Sequence, residues 1–452
     1  MKKINRFISL LLLFAVVVSS AVWISSCGKI EASSTISKIF ENMDKLDSYR
    51  SITRMSMSFY SYDENVQVVS ESMMVEANRN APDDYFFYRE STNTTECEAL
   101  NISESFSKTE AYDGEKYYIK SVNRGKQNKI YGSMEMDEFF DYMYRTGGFE
   151  MDLSGCKNMT QRKNADGSGN IECSGFSKRV INDITNLLGI GSGELGADVS
   201  DVKVYITYDN EYRAQKMDYI FVFNIEKNQK KHPTLRISFE YSDHNSAEDD
   251  PNLVTPTGYK EIEHFNVFFE LEEFINGLVD DKKGGFVSHT VLNARAGIQR
   301  YSFTETDTVT FKERFGKFRF NVNININDVG YAMQYKKGKL KTKGPDINES
   351  EESSDAIAMN YITSLADNAK CNISNLNGIR KVEDGLYYIV YNIVDSAIYD
   401  QMFAQYGGDF HSGTHTITVT IVEDEIKIVE SSIRIKGDGD AYLNVDTTNT
   451  FD

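Results

Sequence analysis

Alternation of apolar and polar residues runs through most of this chain and constrains its fold more than any other feature. Stretches such as "TLRISFEYS" (234–242) and "HTITVTIVEDEIKIVESSIRIKG" (415–437) repeat every second residue. A period of two is the signature of a β-strand with one face turned inward and one to water. Strands of this kind need a cover for their apolar side. With 27 tyrosines, 27 phenylalanines and only five prolines in 452 residues, the composition is that of a β-rich globular protein, not a disordered one.

The order of elements occurs twice. In the first half, "STISKIFENMDKLDSY" places Ile36, Ile39, Phe40, Met43 and Leu46 on one helical face, predicting a helix over 34–47 capped by Ser34 or Thr35. Alternating runs follow, with a turn at Asp113-Gly114. A helix over 135–146 comes next, then two short strands around "NADGSGN", a helix over 177–188 and closing strands. The stretch "DHNSAEDDPNLVTPTGYK" breaks the pattern and places a linker over 246–262. The second half repeats the plan. A helix carries Leu271, Phe274, Ile275, Leu278 and Val279, and four alternating runs follow it. A polar acidic loop, "GPDINESEESSD", leads to helices at "AIAMNYITSLADN" and "VDSAIYDQMFAQYGG" and a final set of strands. Helices inserted between hairpins, instead of alternating with strands, exclude a parallel doubly wound sheet. The expected fold class is α+β in two tandem domains, over 35–245 and 263–452.

The chain opens with Lys2, Lys3 and Arg6, then an apolar run from Phe7, then small residues ending in "ISSC", Ile24 to Cys27. This is the layout of a secretory signal over 1–26. The ending resembles the lipobox of bacterial lipoproteins, in which the cysteine becomes the acylated N-terminus. Each buried methylene of such an anchor contributes about 0.8 kcal/mol. The expectation is lipidation at Cys27, a tether over 27–34, and a chain held at the extracytoplasmic face of the cell membrane. Removal of Lys2, Lys3 and Arg6 would take the net charge from −19 to −22, which excludes nucleic acid as a partner. Cys97, Cys156, Cys173 and Cys371 are too sparse for a disulfide framework; Cys156 and Cys173 could close one small loop.

A lipobox, one leading helix, a long meander with an "AYDGEKYYIKS" hairpin and inserted helices together resemble the lipoprotein-carrier superfamily (LolA/LppX-like), in its Gram-positive branch. The resemblance covers 35–245 and, more weakly, 265–446. It implies a curved antiparallel half-barrel in each domain, with helices across the concave face. It also implies a hydrophobic or amphipathic ligand, lipid or lipoprotein-like, between sheet and helices. The lining residues would then be Met57, Phe59, Phe139, Met143, Ile181 and Ile184. The same positions also fit plain core packing.

Chemistry is sparse. His411 and His415 have helical spacing, but "DFHSGTHTI" is a glycine-broken strand approach and lacks the glutamate of a zinc-protease helix. "GSGELG" (191–196) follows a helix, so no helix N-terminus would receive a pyrophosphate. "DGSGN" (166–170) and "GDGD" (437–440) lack the closing glutamate of a calcium loop and read as turns. Ser105 to Lys108 fits S-x-x-K without its companion motifs. No metal, cofactor or catalytic residue is expected, and the chain reads as a non-enzyme. Two other readings stay open: an envelope protein–protein interaction module with solid cores, and a hydrolase of envelope polymers.

Overall fold

A computed structural model describes residues 27–452 apart from short breaks and the stretches 148–152, 182–198, 224–232, 248–256, 367–372 and 394–409. The described residues are mostly β, with four helices and two large sheets, of twelve and eleven strands, neither closed into a barrel.

In chain order the elements begin with helix α1 (Cys27–Asp44), strands β1 (Tyr49–Ser61), β2 (Glu64–Ala77), β3 (Phe86–Cys97), β4 (Ile102–Tyr112), β5 (Lys116–Asn123) and β6 (Lys126–Ser133), and helix α2 (Met136–Gly147). Next come β7 (Asn158–Lys163), β8 (Gly169–Ser174), β9 (Val199–Tyr208), β10 (Ala214–Phe223), β11 (Thr234–Ser242) and the two-residue β12 (Lys260–Glu261). Helix α3 (Asn266–Gly277) precedes β13 (Lys283–Ala296), β14 (Gln299–Glu313), β15 (Phe318–Ile326), β16 (Val329–Lys336), β17 (Lys339–Lys343) and β18 (Asn348–Glu352). Helix α4 (Asp355–Ala366), β19 (Leu376–Glu383), β20 (Leu386–Ile393), β21 (Phe410–Val422), β22 (Glu425–Gly437) and β23 (Tyr442–Phe451) complete the chain.

The eleven-stranded sheet runs β18-β17-β16-β15-β14-β13-β23-β22-β21-β20-β19. Counted from β1, the first eleven strands of the chain follow the same permutation, 6-5-4-3-2-1-11-10-9-8-7. β12 adds to β6 as the sole parallel pair among the described registers. Compact packing divides the chain differently. One unit comprises residues up to Arg79, Glu96–Asn101 and Phe149–Glu248; the other comprises Asn80–Thr95, Ile102–Gly148 and Asp249–Asp452. Within the second unit, Ser121 Oγ donates to the Ser374 carbonyl (2.8 Å), and Asn128 Nδ2 donates to the carbonyls of Ser374 and Leu376 (both 3.0 Å).

Three local details differ from the sequence expectation. Helix α1 starts at Cys27, so Ser34 and Thr35 lie inside it and cap nothing. Ala32 extends the apolar face of Ile36 and Ile39 by one more turn, and all three are buried. Burial of that extra turn outweighs the serine preference for a cap; Ser37 Oγ instead donates back to the Ser33 carbonyl at 3.2 Å. The expected acidic loop contains strand β18, because lysine-rich β17 offers it opposite charges: Lys339 pairs with Glu352 across the ladder. Strand β6, "KQNKIYGS", was not anticipated, since four polar residues in a row hide its alternation. The expected helices over 177–188 and 394–408 fall mostly outside the described residues.

Candidate functional site

In the first unit, α1 lies against β7 and β10. Ala32, Ile36 and Ile39 face Ile171, Val202, Val204, Ile206, Met217, Tyr219, Phe221, Leu235 and Ile237 in one continuous apolar cluster. The strand residues alternate, buried at every second position over Val202–Tyr208 of β9 and Met217–Phe223 of β10, as their sequence periodicity requires. Polar contacts hold the helix in register. Gln161 Nε2 donates to Thr35 Oγ1 (3.1 Å) and to the Tyr208 hydroxyl (2.7 Å), and Asn42 Nδ2 donates to the Glu211 carbonyl (2.6 Å). Packed against this centre is a half-buried margin of Phe40, Met43, Met55, Met57 and Met159, together with Val180, Val199, Tyr212, Phe239 and Tyr241. Methionine is unbranched and polarizable, so such a margin can repack around guests of differing shape.

The second unit has a different interior. Phe139 is fully buried; its ring stacks on Tyr112 (centroids 4.2 Å apart) and meets Phe87 and Tyr117 edge-on at 5.2 and 5.7 Å. Beside this cluster lies Glu110, whose side chain is 1% exposed. Arg89 Nη2 and Lys108 Nζ each approach its carboxylate at 2.6 Å, and the Tyr117 hydroxyl donates to it. Burial pushes the Glu110 carboxyl up, but the two cations outweigh that and hold it down at about 2. The S-x-x-K lysine is therefore a structural ion-pair partner.

Further polar groups line the buried face of the eleven-stranded sheet. Asp307, Ser288 and Asn449 sit opposite one another on β14, β13 and β23, all buried. The Asp307 and Asn449 Oδ1 atoms have no hydrogen-bond partner among the described residues. Burial, with a smaller push from Glu305, raises the Asp307 carboxyl to about 6. On β21 and β22, His415 Nε2 lies 2.7 Å from Ser431 Oγ, and burial lowers that imidazole to about 4.

Of the six lining candidates, Met57 and Ile181 belong to the first unit's cluster, Met57 in its margin and Ile181 in its centre. Phe139 and the half-buried Met143 belong to the second. The side chain of Phe59 and all of Ile184 lie outside the described residues, as does the side chain of Cys27. Cys97, Cys156 and Cys173 are buried and in no disulfide, and Cys156 Sγ donates to the carbonyls of Asn158 (2.8 Å) and Ser174 (3.2 Å). The "DGSGN" motif is a turn closed by Asp166 Oδ1, which accepts from the Ser168 amide at 3.0 Å. Among the described residues no three His, Cys, Asp or Glu side chains converge as a metal site, and no helix is long and apolar enough to cross a membrane. The Glu110 network and the Asp307–Ser288–Asn449 row were not anticipated. Only the misplaced charge in "FSKTEAY", a glutamate at an inward strand position, hinted at the former.

No family model matches the chain, and no curated protein does. Among solved structures, the lipoprotein LppX of Mycobacterium tuberculosis is 13% identical over 48% of this chain and 96% of its own, with a TM-score of 0.25. A protein of unknown function from the DUF3598 family of Nostoc punctiforme is 8% identical over 91% and 97%, with a TM-score of 0.15. A putative AttH from Nitrosomonas europaea is 7% identical over 90% and 93%, with a TM-score of 0.14. None of the three superposes closely on this chain.

Proposed function

We propose that this protein is an extracytoplasmic lipoprotein, tethered to the membrane through an acylated Cys27, that binds a hydrophobic or amphipathic ligand without a chemical step. The observation that carries this reading is the first unit's helix-covered apolar cluster with the half-buried methionines of its margin. A guest entering that margin exchanges water for apolar surface at about 25 cal/mol per Å². The finer form of the reading is a LolA/LppX-like plan of the Gram-positive branch, made twice, each sheet a half-barrel roofed by its helices. The identical strand permutation in the two halves supports the duplication.

Two measurements test it. Mass spectrometry of an organic extract of the full-length purified protein should find co-purified lipid in stoichiometric amount; a lipid-free extract overturns ligand binding. Separately, Cys27→Ser should move the protein from the detergent phase to the aqueous phase in a cloud-point partition. Detergent partition unchanged by that substitution overturns the anchor.

One observation favours docking to an envelope protein instead. Ile298, at the turn of the β13–β14 hairpin, is 99% exposed, with Tyr301 also exposed three residues on. Crosslinking of cells carrying Ile298→Asp should then lose a partner band that the wild type shows.

A further inference from the structure

The solvent face of β13–β16 carries a feature unrelated to the lipid reading. Along β14 the odd positions Asp307, Val309 and Phe311 are buried, which turns Thr304, Thr306 and Thr308 to the other side. The registers then align His289, Thr306, Asn325 and Gly330 in one row across four strands. Thr308, Asn323 and Ala332 form the adjacent row. On β16 the rows reach Gly330 and Ala332, residues with almost no side chain; the second row continues to Lys343 on β17, and a Cβ placed on Gly330 would meet nothing within 4 Å. The loss of bulk there leaves a groove of about 690 Å³. That volume lies inside the range of roughly 300–1,000 Å³ usual for ligand sites.

The lining selects by chemistry. A solvated strand face ordinarily carries lysine and glutamate, and 26% of this chain is charged. The groove nevertheless contains no lysine or arginine and a single carboxylate, Asp328. An anionic ligand would find no cation there, and a cationic one would find a single acid. A purely apolar ligand would meet mainly hydroxyls and amides, since Ile324 and Tyr331 border the groove from the row that holds the buried Asp307. Threonine and asparagine each both donate and accept, which is the hydrogen-bonding character of a sugar hydroxyl. The polar groups are also held in place. His289 Nδ1 lies 2.9 Å from Thr306 Oγ1, and the Thr304 amide donates to Asn327 Oδ1 at 2.8 Å.

We propose that this groove binds a neutral oligosaccharide. It is a second site, on the face of the sheet opposite the buried one, and it stands or falls independently of the lipid ligand.

Isothermal titration of the full-length protein, held in a zwitterionic detergent that carries no sugar, tests it with three probes: hexamers of β-1,4-N-acetylglucosamine, of β-1,4-glucose and of α-1,4-glucose. At least one should bind saturably, and an acidic oligogalacturonate should not. Gly330→Trp fills the open position on β16 and should weaken binding more than tenfold. Thr306→Val keeps the shape and strand preference while deleting one hydroxyl, and should weaken it about threefold to tenfold. Thr306→Val decides the matter if the tryptophan variant fails to fold. No saturable binding of any neutral probe up to 5 mM (about a hundredfold beyond the protein concentration used) overturns the proposal. So does tighter binding of the acidic probe, or binding that neither substitution changes.

Discussion

The interiors of the two compact units are built on opposite principles. The first is centred on an apolar cluster, a helix stripe against alternating strand residues, with only small uncharged polar side chains such as Thr35, Ser51 and Ser238 buried among the described residues of the same unit. The second buries an ion-paired glutamate among tyrosines and phenylalanines, and elsewhere a row of Asp307, Ser288 and Asn449. Apolar packing is non-directional, so the first interior tolerates rearrangement at modest cost. Buried hydrogen-bonded charges have one satisfactory geometry, and every departure leaves a charge unpaired. The contrast teaches where adaptability resides, which is why the proposed hydrophobic ligand is placed in the first unit.

The sharpest way to break the comparison is Glu110→Ala. It strands Arg89 and Lys108, both only about 15% exposed, beside an apolar cluster. The expected loss is about 3–5 kcal/mol, read as a lowered urea midpoint. A shift below about 1 kcal/mol would show that water already compensates those cations and that the second interior is not rigidly paired.

Next in size is Ile39→Ala in the first unit, which removes a buried anchor of α1 and should cost about 2–4 kcal/mol. Solvent-exchange protection of α1 amides should fall with it. Loss confined to strands of the second unit would contradict the packing described.

The third test is the pH dependence of the second interior. Asp307 ionises at about 6 in the folded chain against an ordinary 3.8, so burial favours its neutral form. Its contribution is full below pH 3.8 and is lost as pH rises through about 6. Asp307→Asn should therefore stabilise the protein at pH 8, by up to about 3 kcal/mol, and leave it unchanged at pH 3.5. His415 acts in the opposite sense. Its folded value of about 4 lies below 6.5, so stability declines as pH falls through that interval, and His415→Gln should flatten that limb. Thermal midpoints across pH 3.5–8 separate the two.

The smallest effect is expected at the methionines of the margin. Met57→Leu conserves volume and should change stability by less than about 1.5 kcal/mol. It stiffens the margin, so a fluorescent fatty-acid probe should bind a few-fold more weakly. An unchanged affinity places the ligand elsewhere.

Much of the architecture was legible in the residues. Ile36, Ile39, Phe40 and Met43 announce α1, and "KMDYIFVF" announces β10, because both patterns arise from one-sided burial of a regular element. The acidic strand β18 was not legible, since its stability comes from the lysines of β17 across the ladder and not from its own composition. The lining set was only partly legible. Apolar periodicity marks Met57, Ile181, Phe139 and Met143 as inward-facing, yet says nothing of which interior each one enters. The outer-face groove was hidden for a related reason. "TETDTVT" and "NVNININD" show alternation, but the alignment of Thr306 with Asn325 and Gly330 is a property of the register.

By itself, the amino-acid order determined the local periodicities, the turns and the repetition of one element plan along the chain. These depend on interactions among neighbours a few residues apart. Tertiary structure alone decided that β3–β6 and α2 share a compact unit with residues beyond 249, that Glu110 meets Arg89 and Lys108, and that residues from four strands border one groove. Such juxtapositions follow from which strand pairs with which and in what register. That choice is made by the summed burial of whole faces, a quantity that no single segment contains.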